Sequence, residues 1–264
     1  MSEHLFLEER RRAILEQLKR QGRVAVNELS ARLHVSTVTI RQDLRALEEE
    51  GLLERTYGGA VLPASVAQTE PEFSFDIRQR RDQSAKAAIA TEAAKMVGEG
   101  FSIAMDGSTT AFTMIPHLKK RQHLNIVTNS LMVAHEFLDS PQIEVFMPGG
   151  HLRRESIALV GRPQTLPEIN LNIGFFGTRG ISAEAGMTET APDEAMMKRA
   201  MVAHCLSVVI LADHTKWDSV APFTFVELNK VDKILTDSAV NEIYTNEIRQ
   251  HGVKVITVPC PQDS

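Results

Sequence analysis

Leu7, Ile14 and Leu18 recur at helical spacing among arginines and glutamates, predicting an amphipathic helix that ends near Gly22. Val26, Leu29 and Leu33 mark a short second helix, with Asn27 and Ser30 as caps or exposed positions, before a tight connection at His34-Val35-Ser36. Ile40, Leu44 and Leu47 mark a third, from the N-cap Ser36 to Gly51. Leu52 to Leu62 alternates around Tyr57-Gly58-Gly59 enough for a small β-hairpin. Helix, helix, helix, hairpin is the order of a winged helix-turn-helix, assigned to residues 1–62.

Residues 63–72, bracketed by Pro63 and Pro71 and short of large apolar side chains, read as a linker. Helical periodicity returns from Phe73 to Val97, with Phe73, Ile77, Ala85, Ile89 and Ala93 as the expected buried positions. Short β-branched runs follow at Phe101–Met105, Leu124–Val127, Ile143–Met147, Ile173–Phe176, Ser207–Leu211, Lys233–Thr236 and Val253–Val258, mostly separated by helical stretches. That alternation predicts an α/β domain over residues 73–264, with a largely parallel sheet flanked by helices.

With Ile40, Leu44 and Leu47 turned inward at 100° per residue, Val38, Gln42 and Arg45 face outward. Thr37 and Arg41 lie along one edge and Thr39 toward the other, where they reach phosphates if the helix enters a major groove. Gln42 suits adenine, Arg45 guanine, and Val38 a thymine methyl. Glu48-Glu49-Glu50 repels phosphates, so only the first two turns fit in the groove. An amphipathic helix with a merely solvated polar face has the same pattern, and residues 1–62 hold equal numbers of acidic and basic side chains.

Asp106-Gly107-Ser108-Thr109-Thr110 and Thr128-Asn129-Ser130 each follow an apolar strand and open a helical stretch. Hydroxyls and backbone N–H groups at such strand ends suit a phosphate, although caps serving only their own helices look alike. Gly149-Gly150, Gly177-Thr-Arg-Gly180, the Asp193–Met201 stretch with Lys198, and Ala212-Asp-His-Thr-Lys-Trp217 are each weak alone.

The net charge of −5 excludes whole-surface binding to polyanions and confines any nucleic-acid contact to a local patch. Cys205 and Cys260 are far apart and the nine histidines lack ligand spacing, so no metal, cofactor or disulfide framework is expected. No secretory signal or membrane-length apolar run is present, so the expectation is a cytoplasmic protein with no membrane partner.

The stretch from Val35 to Ala60, with its Ser-x-x-Thr-Ile-Arg-x-Asp-Leu core, closely resembles the helix-turn-helix signature of the DeoR family of bacterial regulators. The resemblance implies a recognition helix carrying Ser36, Thr39, Arg41 and Asp43, with Thr37, Val38, Gln42, Arg45, Arg55 and Tyr57 completing the DNA-binding set. Gln42 stands where a basic residue is common, and Tyr57 where histidine is common. The later motifs, in this order and spacing, resemble the family's sensor domain, which is similar in fold to ribose-5-phosphate isomerases. By that likeness Asp106, Ser108, Thr109 and Thr110 line the phosphate end beside Asn129 and Ser130. Gly150 belongs to the ligand set, Asp213 and Lys216 face sugar hydroxyls, and Lys198 lies at the rim.

Two departures are Asn172, where aspartate is frequent, and Arg179, which either favours a more anionic ligand or points to solvent. The implied function is a repressor of a sugar operon that binds a double-stranded DNA operator and responds to a phosphorylated sugar. One short recognition helix contacts too few base pairs for specificity, so a homo-oligomer, dimer or tetramer, is expected. The alternative is an isomerase-like enzyme with an accessory DNA domain, for which Asp106, Asp193, Glu194 and Asp213 offer carboxylate bases.

Overall fold

The computed structural model describes residues 7–21, 23–49, 52–56, 58–61 and 75–260. The chain divides into two compact units, residues 1–73 and 74–264. In the first, helices α1 (Leu7–Gln21), α2 (Val26–Leu33) and α3 (Thr37–Glu49) bury Ile14, Leu18, Leu29, Ile40, Leu44 and Leu47 in one core. The Oγ of Ser36 accepts the Thr39 amide at 3.1 Å and so caps α3. Helix α2 has no side-chain cap, and Asn27 is exposed. Ser30 instead closes the turn, its hydroxyl donating to the Val35 carbonyl at 2.6 Å.

Strands β2 (Glu54–Thr56) and β3 (Gly59–Val61) form the wing. A strand the pattern did not signal, β1 (Arg23–Ala25), pairs antiparallel with β3, because three residues are too few to display a period of two. Gly59 permits that approach, since a Cβ there would stand 2.0 Å from the Val24 carbonyl oxygen. Gly22, Glu50, Gly51, Tyr57, Leu62, the linker 63–72 and Phe73 lie outside the described residues.

The expected helix from Phe73 to Val97 is two helices, α4 (Phe75–Arg80) and α5 (Gln83–Ala94), broken where Asp82 takes a left-handed φ of 48°. The ammonium of Lys86, buried in α5, donates to the Arg78 carbonyl at 2.6 Å and to the Arg81 carbonyl, ending α4. Phe75 is buried there, whereas Ile77 is only half-buried.

The second unit is built on seven parallel strands, and these are the seven expected runs. They are β4 (Ser102–Met105), β5 (Leu124–Thr128), β6 (Ile143–Phe146), β9 (Ile173–Gly177), β12 (Val208–Leu211), β14 (Lys233–Asp237) and β15 (Lys254–Val258). Five further strands form two small antiparallel sheets: β7 (His151–Arg153) with β8 (Ala158–Val160), and β10 (Gly180–Ser182), β11 (Gly186–Glu189) and β13 (Phe223–Val226).

Successive strand residues serve opposite faces. Phe175 and Val209 pack with Ile89 and Ala93 of α5, while Phe176 and Ile210 pack with Met197 and Met201 of α9 (Pro192–Ala203). Both faces being covered, these strands read as continuous apolar runs. The spatial order is β15-β14-β12-β9-β4-β5-β6. From β4 the chain moves outward through β5 to β6, and from β9 it moves the other way through β12. The boundary of β4 and β9 is therefore the switch point, where open α/β sheets hold their ligands.

Candidate functional site

On α3, Val38, Arg41, Gln42 and Arg45 are exposed, Val38 at 59%, although burying a valine would be favourable. Thr37 and Thr39 are half-buried at the edges, and the Ser36 and Thr39 hydroxyls lie 2.8 Å apart. Arg55, on the wing, pairs with Glu48 at 2.6 Å and also donates its backbone amide to that carboxylate at 3.0 Å. The side-chain hydrogen bond from Arg55 is the main reason the Glu48 carboxyl lies below its ordinary range. Charge at the end of α3 is thus partly neutralised by the wing.

Asp43 does not share the outward face. It is 2% exposed, with its carboxylate 2.5 Å from Arg10 Nε and 3.4 Å from Arg11 Nε. The acid of the recognition-helix signature faces inward, tying α3 to α1, because it lies three residues after the core Ile40 and four before the core Leu47, on their side of the helix.

In the second unit the loops after β4 and β9 meet through Asp106. This wholly buried carboxylate accepts the Ser108 amide on one oxygen at 3.0 Å and the Gly177 amide on the other at 2.9 Å. Ser108 caps the short helix α6 (Thr109–Phe112), accepting the Ala111 amide at 3.2 Å, and lies so near Gly177 that a Cβ there would be 2.3 Å from its own. Thr109 and Thr110 are buried beside it. After β5, Ser130 caps the next helix through the Val133 amide at 3.3 Å, and Asn129 donates to the Leu159 carbonyl at 3.2 Å.

Two buried polar atoms here have no hydrogen-bond partner, Asn129 Oδ1 and Ser156 Oγ. Ser156 belongs to the β7–β8 turn, whose backbone lies against Gly107 and Ser130: a Cβ on Gly107 would be 3.6 Å from the Ser156 carbonyl and 3.8 Å from Ser130 Cβ. Buried polar atoms without partners are costly, so an acceptor and a hydroxyl left open beside these loops suit a polar ligand.

Lys198 is not at the rim. Its side chain is 6% exposed and its ammonium meets Asp106 at 2.8 Å, the Gly177 carbonyl at 2.8 Å and Glu189, above the Phe225 ring. Burial alone would lower the Lys198 ammonium, but Asp106 and Glu189 outweigh it and raise it above its ordinary value. Burial pushes the Glu189 carboxyl up, against the pull of Lys198. Arg179 does not point to solvent: its side chain is 12% exposed and lies 3.7 Å from Glu189. Arg153 of β7 adds ion pairs to Asp193 at 3.8 Å and Glu194 at 3.5 Å.

Asp213 caps the turn His214–Lys216, accepting the Thr215 amide at 3.0 Å. Burial would raise its carboxyl, but Lys216, the Thr215 hydroxyl and Lys86 together hold it below the ordinary range. Gly150 supports the base of β7, packed so closely that a Cβ would be 2.3 Å from the Val160 carbonyl oxygen. Asn172 lies at the other end of the sheet, its side-chain oxygen accepting the Ser102 amide at 2.8 Å, a task aspartate performs equally.

Sequence reasoning did not single out Glu189, Arg153 or Ser156. They stand in short strands and turns without periodicity, and only the fold brings them to the switch point. Among the described residues no cluster of His, Cys, Asp and Glu is arranged for a metal, and no helix is long and apolar enough to cross a membrane. An open groove of about 740 Å³, lined among others by Cys205, Leu206, Val208 and Asp232, lies at the amino end of β12, away from these loops.

Residues 10–66 match the DeoR-like helix-turn-helix domain and residues 81–238 the DeoR C terminal sensor domain. The chain is 32% identical to the HTH-type transcriptional repressor GlcR of Bacillus subtilis, over 96% of each protein. It is 30% identical to the glycerol-3-phosphate regulon repressor of Escherichia coli K12, over 87% of this chain and 90% of that one. Among solved structures, ribose 5-phosphate isomerase A of Methanocaldococcus jannaschii overlaps 50% of this chain and 53% of its own, at a TM-score of 0.39 and 17% identity. A winged reading head followed by a parallel-sheet sensor, matched along nearly its whole length to repressors, makes this chain a member of the DeoR family of DNA-binding transcriptional regulators, and not an enzyme.

Proposed function

We propose that this cytoplasmic regulator represses a carbohydrate operon as a homo-oligomer, and that a phosphorylated sugar held at the switch point sets its affinity for the operator. The observation that carries the reading is the meeting of the Ser108–Thr110 and Asn129–Ser130 loops around two open, buried polar atoms. The loops present helix N-termini and hydroxyls to a phosphate, while Asn129 Oδ1 and Ser156 Oγ are left for sugar hydroxyls. Asp213 and Lys216 stand at the end of β12, one strand beyond β9.

Calorimetry on the full chain with glycerol 3-phosphate, glucose 6-phosphate and their unphosphorylated parents tests this, beside a Ser108→Ala/Thr109→Ala variant. The phosphates are expected to bind and the parents to bind at least tenfold more weakly, about 1.4 kcal/mol or more. Parents binding as tightly as phosphates, or a double variant with full affinity, would remove the cradle assignment.

Operator reading is assigned to Val38, Gln42 and Arg45, with Ser36, Thr37, Thr39, Arg41, Arg55 and Tyr57 on phosphates. Arg45→Ala is expected to cost about 1–3 kcal/mol on the proper operator and to relax one base position, whereas Arg41→Ala weakens all sequences more evenly. Gel-shift titrations on matched and scrambled DNA separate the two. Equal losses on both DNAs for Arg45→Ala would contradict its role as a base reader.

A further inference from the structure

We propose that Glu194 fixes the sugar end of the effector, its open carboxylate oxygen accepting a hydrogen bond from a neutral hydroxyl of the ligand, and so selects among phosphorylated sugars. The inference rests on the effector reading above and adds to it a residue outside the two phosphate loops.

Glu194 stands at the start of α9, one helical turn before Lys198, so the two side chains share a face. On that face Lys198 meets Asp106, the Gly177 carbonyl and Glu189. The β7–β8 hairpin makes the connection to the other loop. Its backbone is tied to the residues after β5, with the Leu159 amide donating to the Asn129 carbonyl at 2.7 Å and the Leu131 amide to the Ile157 carbonyl at 3.0 Å. Its Arg153 reaches Glu194 at 3.5 Å and Asp193 at 3.8 Å. Glu194 is thus joined along its helix to the Asp106 centre and, through the hairpin, to Ser156 and Asn129.

Glu194 is 6% exposed, and its Oε2 has no hydrogen-bond partner although Arg153 Nε lies 3.5 Å away. The ion pair answers the charge of the carboxylate and leaves the hydrogen-bonding capacity of this oxygen open. A buried carboxylate oxygen is a strong acceptor and is costly to leave unmet. Because Arg153 already supplies the cation, the missing donor is neutral, and on a phosphorylated sugar that donor is a hydroxyl. Glu194 Oε2, Asn129 Oδ1 and Ser156 Oγ are linked through one hairpin and all lack partners, which suits a ligand bearing several hydroxyls rather than phosphate alone.

The test is calorimetry on the full chain with inorganic phosphate, glycerol 3-phosphate, ribose 5-phosphate, glucose 6-phosphate and glucosamine 6-phosphate. Glu194→Asp keeps the charge that Arg153 meets but withdraws the carboxylate by one methylene, whereas Glu194→Gln keeps the reach and a neutral acceptor. Glu184→Gln, exposed in the turn between β10 and β11, controls for net charge. Glu194→Asp is expected to weaken the organic phosphates that bind the wild type by about tenfold. Glu194→Gln should lose less, about threefold, Glu184→Gln should stay within about twofold, and inorganic phosphate should weaken in none of them.

Wild-type affinity for the organic phosphates in Glu194→Asp overturns the proposal while leaving the effector reading intact. So does a matching loss for inorganic phosphate, which would mark a general effect on the phosphate loops, or a loss confined to glucosamine 6-phosphate, which would make the missing donor a cation. If no organic phosphate binds the wild type, the effector reading falls and the proposal with it. Trp217 emission during urea unfolding checks that each variant is folded; should Glu194→Asp fail, wild-type affinity in Glu194→Gln decides against the proposal.

Discussion

Replacing Asp43 with alanine is expected to destabilise the N-terminal unit by about 3–5 kcal/mol, the usual cost of removing one partner from a buried ion pair. Arg10, 11% exposed, and Arg11, 27% exposed, would then face the α1–α3 contact without their shared carboxylate. A loss of that size is a large share of the roughly 5–15 kcal/mol that holds a typical domain folded. The effect on DNA binding follows from lost folding, because Asp43 does not reach the outward face.

The single tryptophan, Trp217, lies in the second unit, with its indole donating to the Thr236 hydroxyl at 3.0 Å. In a urea titration of the full chain it therefore reports that unit alone, whereas far-ultraviolet circular dichroism reports both. Asp43→Ala should lose helix signal in an early transition while the Trp217 transition keeps its midpoint. Coincidence of both transitions with those of the wild type would refute the structural role of Asp43.

Lys198→Met should act on the other unit with similar force. Methionine keeps much of the apolar stem but strands Asp106, wholly buried, and Glu189, 3% exposed, without their shared ammonium. The expected cost at about pH 8 is again about 3–5 kcal/mol.

The pH dependence has a definite sign. Lys198 is raised above its ordinary value, so its contribution is fully present below pH 10.5 and is lost only as the pH climbs through its still higher folded value. Without it the carboxyl of Glu189, already pushed up by burial, rises further, and the folded variant binds a proton that the unfolded state releases above the ordinary glutamate value of 4.5. The deficit of the variant should therefore shrink as the pH falls from about 8 toward 5. Urea midpoints read by Trp217 emission at several pH values measure it, and a deficit constant across that range would sink the account.

What was legible along the chain is what near neighbours decide. The inward positions Ile40, Leu44 and Leu47 are 0–2% exposed, and their spacing alone leaves Val38, Gln42 and Arg45 outside. The caps at Ser36, Ser108 and Ser130 act on amides three residues ahead, within reach of any local reading. The seven sheet strands are legible for a related reason: a strand covered on both faces is a continuous apolar run.

The meetings of charges were not legible. Asp106 accepts from Gly177 across 71 residues of chain, and Lys198 reaches the same carboxylate from α9, so a lysine that would be solvated on an ordinary helix becomes the buried centre of the site. Arg10 and Arg11 find Asp43 only because α1 packs against α3, and Arg179 finds Glu189 only because β10 and β11 pair. Periodicity and capping depend on backbone geometry over a few residues, which the order of amino acids carries directly. Ion pairs between distant segments depend on which strands become neighbours, and that is settled by closing two hydrophobic faces over one sheet.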